Sequence, residues 1–148
     1  MIATINLLAQ SSPKPLRLAV AAITHGHVPW ILGRKDQGDI VLVGIYEKDT
    51  ALARKYAAQF RLNPSLFYTD LNQMLNDIKP VAVVAFGSTR EHLSVVEACA
   101  PMGIHVMVEK PLATTYEGAK RMSELAPRHK IHLLTNYETS WYATTEKA

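Results

Sequence analysis

The sequence predicts an α/β fold with three layers, in which a parallel sheet of six strands is doubly wound between helices. Six short apolar runs rich in β-branched residues recur along the 148 residues, and several are continuous rather than alternating. Continuous apolar runs are typical of strands that are covered on both faces of a parallel sheet. Segments with helical periodicity separate these runs, and this alternation indicates βαβ units with right-handed crossovers.

The first half of the chain contains three predicted strands and two helices between them. The strands are residues 16–23, 40–47 and 66–69. The first helix is expected to start near Pro29, because proline lacks the N–H that the first helical turn leaves unused. The second helix is expected over residues 50–61, where five apolar side chains share one face. These are Leu52, Ala53, Tyr56, Ala57 and Phe60.

A third helix is predicted directly after residue 70, because four apolar residues have the i, i+3, i+4, i+7 spacing of one helix face. They are Leu71, Met74, Leu75 and Ile78. Asp70 is placed to cap the first turn of this helix, and Gln73 is placed to complete a capping box.

Capping patterns also locate the helices of the second half. The strands there are residues 81–86, 104–109 and 131–135. Ser88 and Glu91 have capping-box spacing ahead of one helix, and Thr114 and Glu117 have it ahead of the next. Pro127 is expected to end that last helix, because a proline inside a helix removes a backbone hydrogen bond.

Composition and charge favour an ordinary globular protein. The chain is 48% hydrophobic and 20% charged, with a net charge of +3. Its basic residues are scattered and form no stripe of the kind that binds nucleic acid. No apolar run approaches the roughly 18 residues of a membrane span, and residues 1–15, an expected flexible arm, lack the basic start of a secretory signal. We therefore expect a cytoplasmic protein without nucleic-acid or membrane partners.

Cys99 is the single cysteine, which excludes an internal disulfide. It lies in an apolar helical stretch, so we expect a buried, inert thiol rather than a nucleophile. No cysteine and histidine spacing along the chain matches a zinc site, and the sequence predicts no metal.

The turn after the first strand lies where doubly wound sheets bind phosphate, beyond the carboxyl ends of the strands. A Gly-x-Gly-x-x-Gly pattern aligned on this turn places its glycines at Ala22, Thr24 and His27, none of which is glycine. Backbone N–H groups at a helix N-terminus could still hold a diphosphate, helped by the helix dipole. Gly26 would admit the ligand, and Thr24, His25 and His27 would add donors. The alternative is that both histidines bond to neighbouring backbone.

Glu47 ends the second strand, at the distance where an acidic side chain binds the ribose hydroxyls of a dinucleotide. A carboxylate there repels a 2′-phosphate, which favours NAD over NADP. Lys48 beside it could accommodate that phosphate, so NADP stays the other candidate. The alternative for both residues is a solvated pair of charges at a strand end.

Residues 103–113, "GIHVMVEKPLA", and the preceding "REHLSVVEACAPMG" carry a family resemblance. Glu109, Lys110 and Pro111 form a Glu-Lys-Pro motif at the end of the fifth strand, after a helix that begins near His92. In this arrangement the chain resembles the Gfo/Idh/MocA family of NAD(P)-dependent oxidoreductases over residues 16–137. The resemblance implies a Rossmann-like nucleotide-binding domain.

The resemblance also implies roles for individual residues. Lys110 would lie near the nicotinamide ribose and the substrate hydroxyl, and would assist proton transfer as the catalytic residue. Glu109 would lie beside the same ribose, and Asn136 would approach the nicotinamide. The remaining cofactor contacts implied by the resemblance are Gly87, Ser88 and Thr89 in the loop after the fourth strand, with His92 and Pro111.

A lysine at this place suits acid–base chemistry. Partial desolvation beside a bound cofactor lowers the pKa of an ammonium group toward neutrality. Pro111 would keep the turn that carries Lys110 rigid. The alternative is that Lys110 forms a salt bridge with a neighbouring acid.

Two functions follow as hypotheses. The first is an oxidoreductase that transfers a hydride between NAD or NADP and a sugar, polyol or related hydroxy compound. The family continues into a second domain that supplies the substrate pocket, so residues 138–148 are expected to begin that domain. We expect the chain alone to be inactive without that second domain, and homo-oligomers are an open option.

The second hypothesis is a non-catalytic nucleotide-binding or interaction module that has lost the glycine-rich turn. Glu138 also stands where the family often has arginine. A receiver-type domain is disfavoured, because "THGH" after the first strand offers none of the clustered acids that it needs.

Overall fold

A single parallel sheet of six strands organises residues 14–137, which are the residues that the computed structural model describes. The strands are β1 Leu16–Ile23, β2 Ile40–Tyr46, β3 Phe67–Tyr68, β4 Ala82–Phe86, β5 His105–Glu109 and β6 Leu133–Asn136. Their order is β3-β2-β1-β4-β5-β6, and every neighbouring pair is parallel. The predicted doubly wound, Rossmann-like α/β class is therefore confirmed.

Five helices connect the strands among the described residues. They are α1 Pro29–Leu32, α2 Thr50–Phe60, α3 Leu71–Ile78, α4 His92–Cys99 and α5 Tyr116–His129. The first two pack on one face of the sheet and the last three on the other. None of the described helices is both long and apolar enough to cross a membrane.

Burial on both faces explains the continuous apolar runs. In β1, Leu18 and Val20 pack toward α1 and α2, whereas Ala19 and Ala21 pack toward the other helices. Because alternate residues of a strand point to opposite faces, both sets must be apolar in a central strand. The thiol of Cys99 is buried between the sheet and the helices α3, α4 and α5, on the side of Ala19 and Ala21, as predicted.

Two predicted caps are confirmed. The Asp70 carboxylate accepts a hydrogen bond from the N–H of Gln73 at the start of α3, although the Gln73 side chain does not complete the predicted capping box among the described residues. Ser88 and Glu91 form a capping box. One turn of 3-10 helix, Thr89–Glu91, follows that box and leads into α4.

Two predictions about α5 are wrong. Thr115 caps this helix rather than Thr114, and its hydroxyl accepts from the N–H of Gly118. Pro127 does not end the helix, which continues to His129. A proline near the last turn removes only one backbone hydrogen bond, and the chain leaves the helix where Lys130 adopts a left-handed conformation, with φ of 55°.

Several predicted boundaries also shift. The third strand is shortened to two residues because Asn63 starts a 3-10 turn over Pro64–Leu66. The sixth strand begins two residues later than predicted, at Leu133. Glu138, residues 1–13 of the expected arm and the expected domain start at 138–148 lie outside the described residues.

Candidate cofactor site

The carboxyl ends of four strands bring the predicted site residues to one edge of the sheet. β1 and β4 end side by side, with Ile23 paired to Phe86. β5 and β6 end side by side, with Glu109 paired to Asn136. The strand order reverses between β1 and β4, and this is where open α/β sheets form their ligand crevice.

The turn after β1 is tied to β4 by backbone hydrogen bonds. The N–H of His25 donates to the carbonyl of Phe86 at 2.8 Å, and the Thr24 hydroxyl donates to the same carbonyl at 3.4 Å. Ala22, which stands at the first glycine position of the aligned pattern, has φ of 62°. That conformation suits glycine and costs energy for alanine, so the chain keeps the glycine-type bend without the glycine.

Gly26 is the open point of this turn. A side chain added at Gly26 would meet no heavy atom within 4 Å. The N–H of Gly26 donates to no other described residue. Helix α1 spans only four residues, so the expected contribution of a helix dipole is small. The N–H groups of His25 and His27 are already used in hydrogen bonds, and the N–H of Gly26 between them remains as an anion donor.

Glu109 lies at the centre of a polar cluster. Its side chain is 2% exposed. Oε1 of Glu109 lies 2.9 Å from Nδ1 of His27 and accepts from the Asn136 amide at 2.8 Å. Oε2 of Glu109 has no hydrogen-bond partner among the described residues. Burial raises the pKa of Glu109, but the Asn136 and His27 hydrogen bonds and both nearby histidines outweigh it and lower the pKa.

The two histidines interact with each other as well as with Glu109. Nδ1 of His25 accepts from the backbone N–H of His27 at 3.2 Å and lies 3.8 Å from Oε1 of Glu109. The ring of His27 stacks on Trp30 with centroids 4.1 Å apart. The alternative hypothesis, in which both histidines bond only to neighbouring backbone, therefore accounts for one contact of His25. It does not account for the approach of both rings to the Glu109 carboxylate.

Glu47 bridges two strand ends. It is 6% exposed, Oε2 accepts from the N–H of Ile23 at 3.0 Å, and Oε1 accepts from the N–H of Asp49 at 2.9 Å. The acid predicted for the ribose thus also holds the end of β1 against the end of β2. A largely apolar cavity of 430 Å³ lies beside Glu47 between α2 and β3, and nothing in the sequence indicated it.

Lys48 extends over the loop after β4. Its ammonium lies 3.5 Å from Oε1 of Glu91, and both side chains are exposed. The other oxygen of Glu91 accepts from the N–H of Ser88. Gly87 lies beneath this pair, and a side chain at that position would collide with the Glu91 carboxylate. Gly87 and Ser88 therefore contact the Glu91 carboxylate that pairs with Lys48, and Thr89 begins the 3-10 turn that follows.

His92 and Lys110 differ in accessibility. His92 is 1% exposed, and its Nδ1 lies 3.1 Å from the carbonyl of Leu112, so it supports the loop that follows β5. Lys110 is exposed and makes no hydrogen bond or ion pair with any described residue. The alternative salt bridge of Lys110 with a neighbouring acid is therefore not formed within residues 14–137. Pro111, which follows Lys110, is exposed too.

The structure also assembles a group that spacing along the chain does not show. Ligand atoms of His25, His27 and Glu109 all lie within 4.8 Å of one another. Glu109 is 82 positions from His27, so no local histidine pattern includes it. The sequence could have indicated this group only through the predicted topology, because the carboxyl ends of parallel strands meet at one edge of the sheet.

Comparison with known proteins gives a family match. Residues 20–137 match the Gfo/Idh/MocA family, described as "Oxidoreductase family, NAD-binding Rossmann fold". A dTDP-3,4-didehydro-2,6-dideoxy-alpha-D-glucose 3-reductase of Streptomyces antibioticus is 32% identical over 110 residues, which is 71% of this chain and 31% of that protein. An uncharacterized oxidoreductase of Schizosaccharomyces pombe is 34% identical over 76 residues, 51% of this chain and 21% of its own length. The chain thus spans a fifth to a third of these relatives.

Solved structures share the fold. The WlbA dehydrogenase of Chromobacterium violaceum, in complex with NADH and UDP-GlcNAcA, has a TM-score of 0.79 at 21% identity, covering 93% of this chain and 39% of that one. The myo-inositol 2-dehydrogenase of Lactobacillus plantarum has a TM-score of 0.77 at 19% identity, covering 90% and 40%.

Proposed function

The chain belongs to the Gfo/Idh/MocA oxidoreductase family, and from this premise we propose that residues 16–137 bind the cofactor of a sugar or polyol oxidoreductase. One observation carries the proposal. The turn after β1, Glu109, Lys110 and Asn136 meet at the carboxyl edge of the sheet, next to the point where the strand order reverses. That edge is where doubly wound folds hold dinucleotides.

The diphosphate would lie against the turn at Gly26. The N–H of Gly26, which donates to no described residue, supplies a donor, and the open space beside it lets a phosphate approach the backbone. His25 and the hydroxyl of Thr24 border the same turn. In this arrangement the N–H of Gly26 and these side chains take the place of the dipole of a long helix.

The ribose of the adenosine half would meet the end of β2. Glu47 accepts two backbone hydrogen bonds there and carries the negative charge that disfavours a 2′-phosphate. Lys48 lies over the same end and is exposed. We propose NAD as the preferred cofactor, with NADP as the competing one.

Lys110 would exchange the proton of the substrate hydroxyl. A bound nicotinamide supplies the hydride chemistry, and the protein has to place a proton carrier at the same edge. Lys110 follows β5 directly and is exposed, and no described residue pairs with its ammonium. Buried Glu109 holds the Asn136 amide in place beside it. A group positioned this way contributes by general acid–base catalysis.

The substrate class rests on the relatives. The Streptomyces antibioticus protein is named as a reductase of a nucleotide-linked sugar, and the Chromobacterium violaceum structure contains UDP-GlcNAcA. We propose a sugar or polyol substrate that is bound mainly by a second domain following residue 137. A dinucleotide-binding half alone offers only one wall of such a pocket, so residues 16–137 by themselves would bind cofactor without turnover.

Titration with NADH, followed by cofactor fluorescence, tests the cofactor assignment. Gly26→Val should weaken NADH by at least about tenfold, or about 1.4 kcal/mol, because its side chain fills the space where a phosphate approaches. A Cβ at this position meets no heavy atom within 4 Å, so circular dichroism should show an unchanged fold. Unchanged affinity in the folded variant would refute the diphosphate assignment.

The alternative, a non-catalytic module, is favoured by the loss of all three glycines from the aligned turn. The same titration separates the two functions. If the wild-type chain binds neither NADH nor NADPH at millimolar concentration, the module is the better description.

A further inference from the structure

We propose that His25, His27 and Glu109 form a binding site for a divalent transition-metal ion such as Zn²⁺. This inference goes beyond the proposed function and does not rest on it, because the ion would bind to the chain without a dinucleotide. Two imidazoles and one carboxylate are a common protein donor set for zinc, and also the donor set of the iron sites with open coordination positions.

The distances suit a shared ion. Nδ1 of His27 lies 2.9 Å and Nδ1 of His25 lies 3.8 Å from the same oxygen, Oε1 of Glu109. With metal–ligand bonds of about 2.0–2.1 Å, ligands of a tetrahedral ion lie about 3.3 Å apart. The two distances to Oε1 bracket this value, and all three ligand atoms lie within 4.8 Å of one another, so small rotations of the two rings would bring them to one ion.

The carboxylate is built for a ligand. Glu109 is 2% exposed, and its Oε2 is buried without a hydrogen-bond partner among the described residues. Such an oxygen normally finds a partner, since leaving it without one costs free energy. The Asn136 amide donates to Oε1, which is the kind of outer contact that orients a ligating carboxylate.

The histidines are also prepared. Nδ1 of His25 accepts the N–H of His27, so this nitrogen carries a lone pair rather than a proton, and an ion bound there would replace that hydrogen bond. On binding, the ion would take the place of the proton between Nδ1 of His27 and Oε1 of Glu109, and the ring proton of the neutral imidazole would then lie on Nε2. His25 and His27 are 28% and 19% exposed, which leaves a route to the site and room for water as a further ligand.

Calorimetric titration of the full chain with Zn²⁺ tests the site. We expect one ion per chain. His25→Ala and Glu109→Gln should each weaken Zn²⁺ by at least about 100-fold, since loss of even an outer-shell partner costs 10–100-fold. Absorption of the Co²⁺-loaded chain should show the visible bands of a four- or five-coordinate ion and lose them in both variants.

His132→Ala is the matched control. His132 and His105 form another pair of neighbouring rings, with centroids 4.9 Å apart. Among the described residues, no carboxylate lies close enough to this pair to complete a set of three metal ligands. The control should bind Zn²⁺ like the wild type. Equal loss in His132→Ala, or unchanged affinity in the folded His25→Ala variant, would overturn the proposal, as would a wild-type chain that binds no Zn²⁺ stoichiometrically.

The outcome is separable from that of the cofactor assignment. Zinc binding is measured without dinucleotide, and NADH binding is measured in the presence of a chelator. A chain that binds NADH but not zinc would refute only the metal site, and a chain that binds zinc but not NADH would refute only the cofactor function.

Discussion

At the scale of single residues, Glu47 and Lys48 place opposite charges at the end of β2. Glu47→Gln removes the charge that repels a 2′-phosphate but keeps one acceptor oxygen for the backbone N–H of Ile23 or Asp49. We expect the preference for NADH over NADPH to fall by about tenfold, equivalent to about 1.4 kcal/mol. Parallel fluorescence titrations with the two cofactors measure it.

Lys48→Ala is the opposite test at the same strand end. Removing its exposed ammonium should weaken NADPH more than NADH, because only NADPH offers a phosphate for that charge. If the ratio of NADH to NADPH affinity were unchanged in both Glu47→Gln and Lys48→Ala, the adenosine ribose would not bind at the end of β2.

Cys99 is a second residue whose surroundings set its chemistry. Burial raises the pKa of its thiol from 9.0 to about 12. The neutral thiol therefore stabilises the fold fully below pH 9, and this contribution is lost as the pH rises toward 12, because the unfolded chain ionises first. Relative to Cys99→Ala, the wild type should lose about 2.6 kcal/mol between pH 8 and pH 11, because the loss of about 1.36 kcal/mol for each pH unit begins only near pH 9.

Urea unfolding at several pH values gives that difference directly. The cavity left by Cys99→Ala lowers the free energy of unfolding by the same amount at every pH. The test is therefore how the difference in unfolding free energy between wild type and variant changes with pH. If the gap between wild type and Cys99→Ala were the same at pH 8 and pH 11, the thiol would ionise equally in both states. The folded protein should also resist thiol reagents at pH 8 until denaturant is added.

At the scale of elements, the N-terminus of α5 offers a pair of adjacent threonines with different roles. Thr115→Ala should destabilise the protein by about 1 kcal/mol, because the hydroxyl of Thr115 accepts from the N–H of Gly118. Thr114→Ala, at an exposed position outside the cap, should change the free energy of unfolding by less than about 0.5 kcal/mol. Thermal or urea unfolding of both variants measures the contrast. Equal losses would place the cap elsewhere.

Helix α1 matters at the same scale because it is so short. Four residues make one turn, with Val28 before it and Gly33 after it. The dipole of a single turn is weak, so an anion at the preceding turn depends on individual amides and side chains. This is why substitutions at Gly26, rather than in α1, are the informative ones.

At the scale of the whole molecule, cofactor binding should stabilise the entire domain. A ligand present at about 100 times its Kd adds about 2.7 kcal/mol to the free energy of unfolding. For a domain of this size that corresponds to a rise in Tm of roughly 5–10 °C. Calorimetric scans with NADH should show the rise for the wild type and little or none for Gly26→Val. A wild-type Tm that does not respond to NADH would count against the cofactor site.

Local patterns in the sequence determined the fold class, the six strands, the caps at Asp70 and Ser88, and the burial of Cys99. Hydrogen bonds of helix ends and the periodicity of strands act over a few residues, so the sequence alone shows them. The family resemblance, which rests on the Glu-Lys-Pro motif, likewise pointed to Glu109, Lys110 and Asn136 as members of one site.

Only the tertiary structure decided what those residues contact. Glu109 meets His27 across 82 positions and Asn136 across 27, and Glu47 meets Ile23 across 24. Such contacts depend on strand order and register, which bring strand ends together at one edge of the sheet. The structure also decided which of the two adjacent threonines caps α5. Thr115 rather than Thr114 is the cap, because the helix begins at Tyr116.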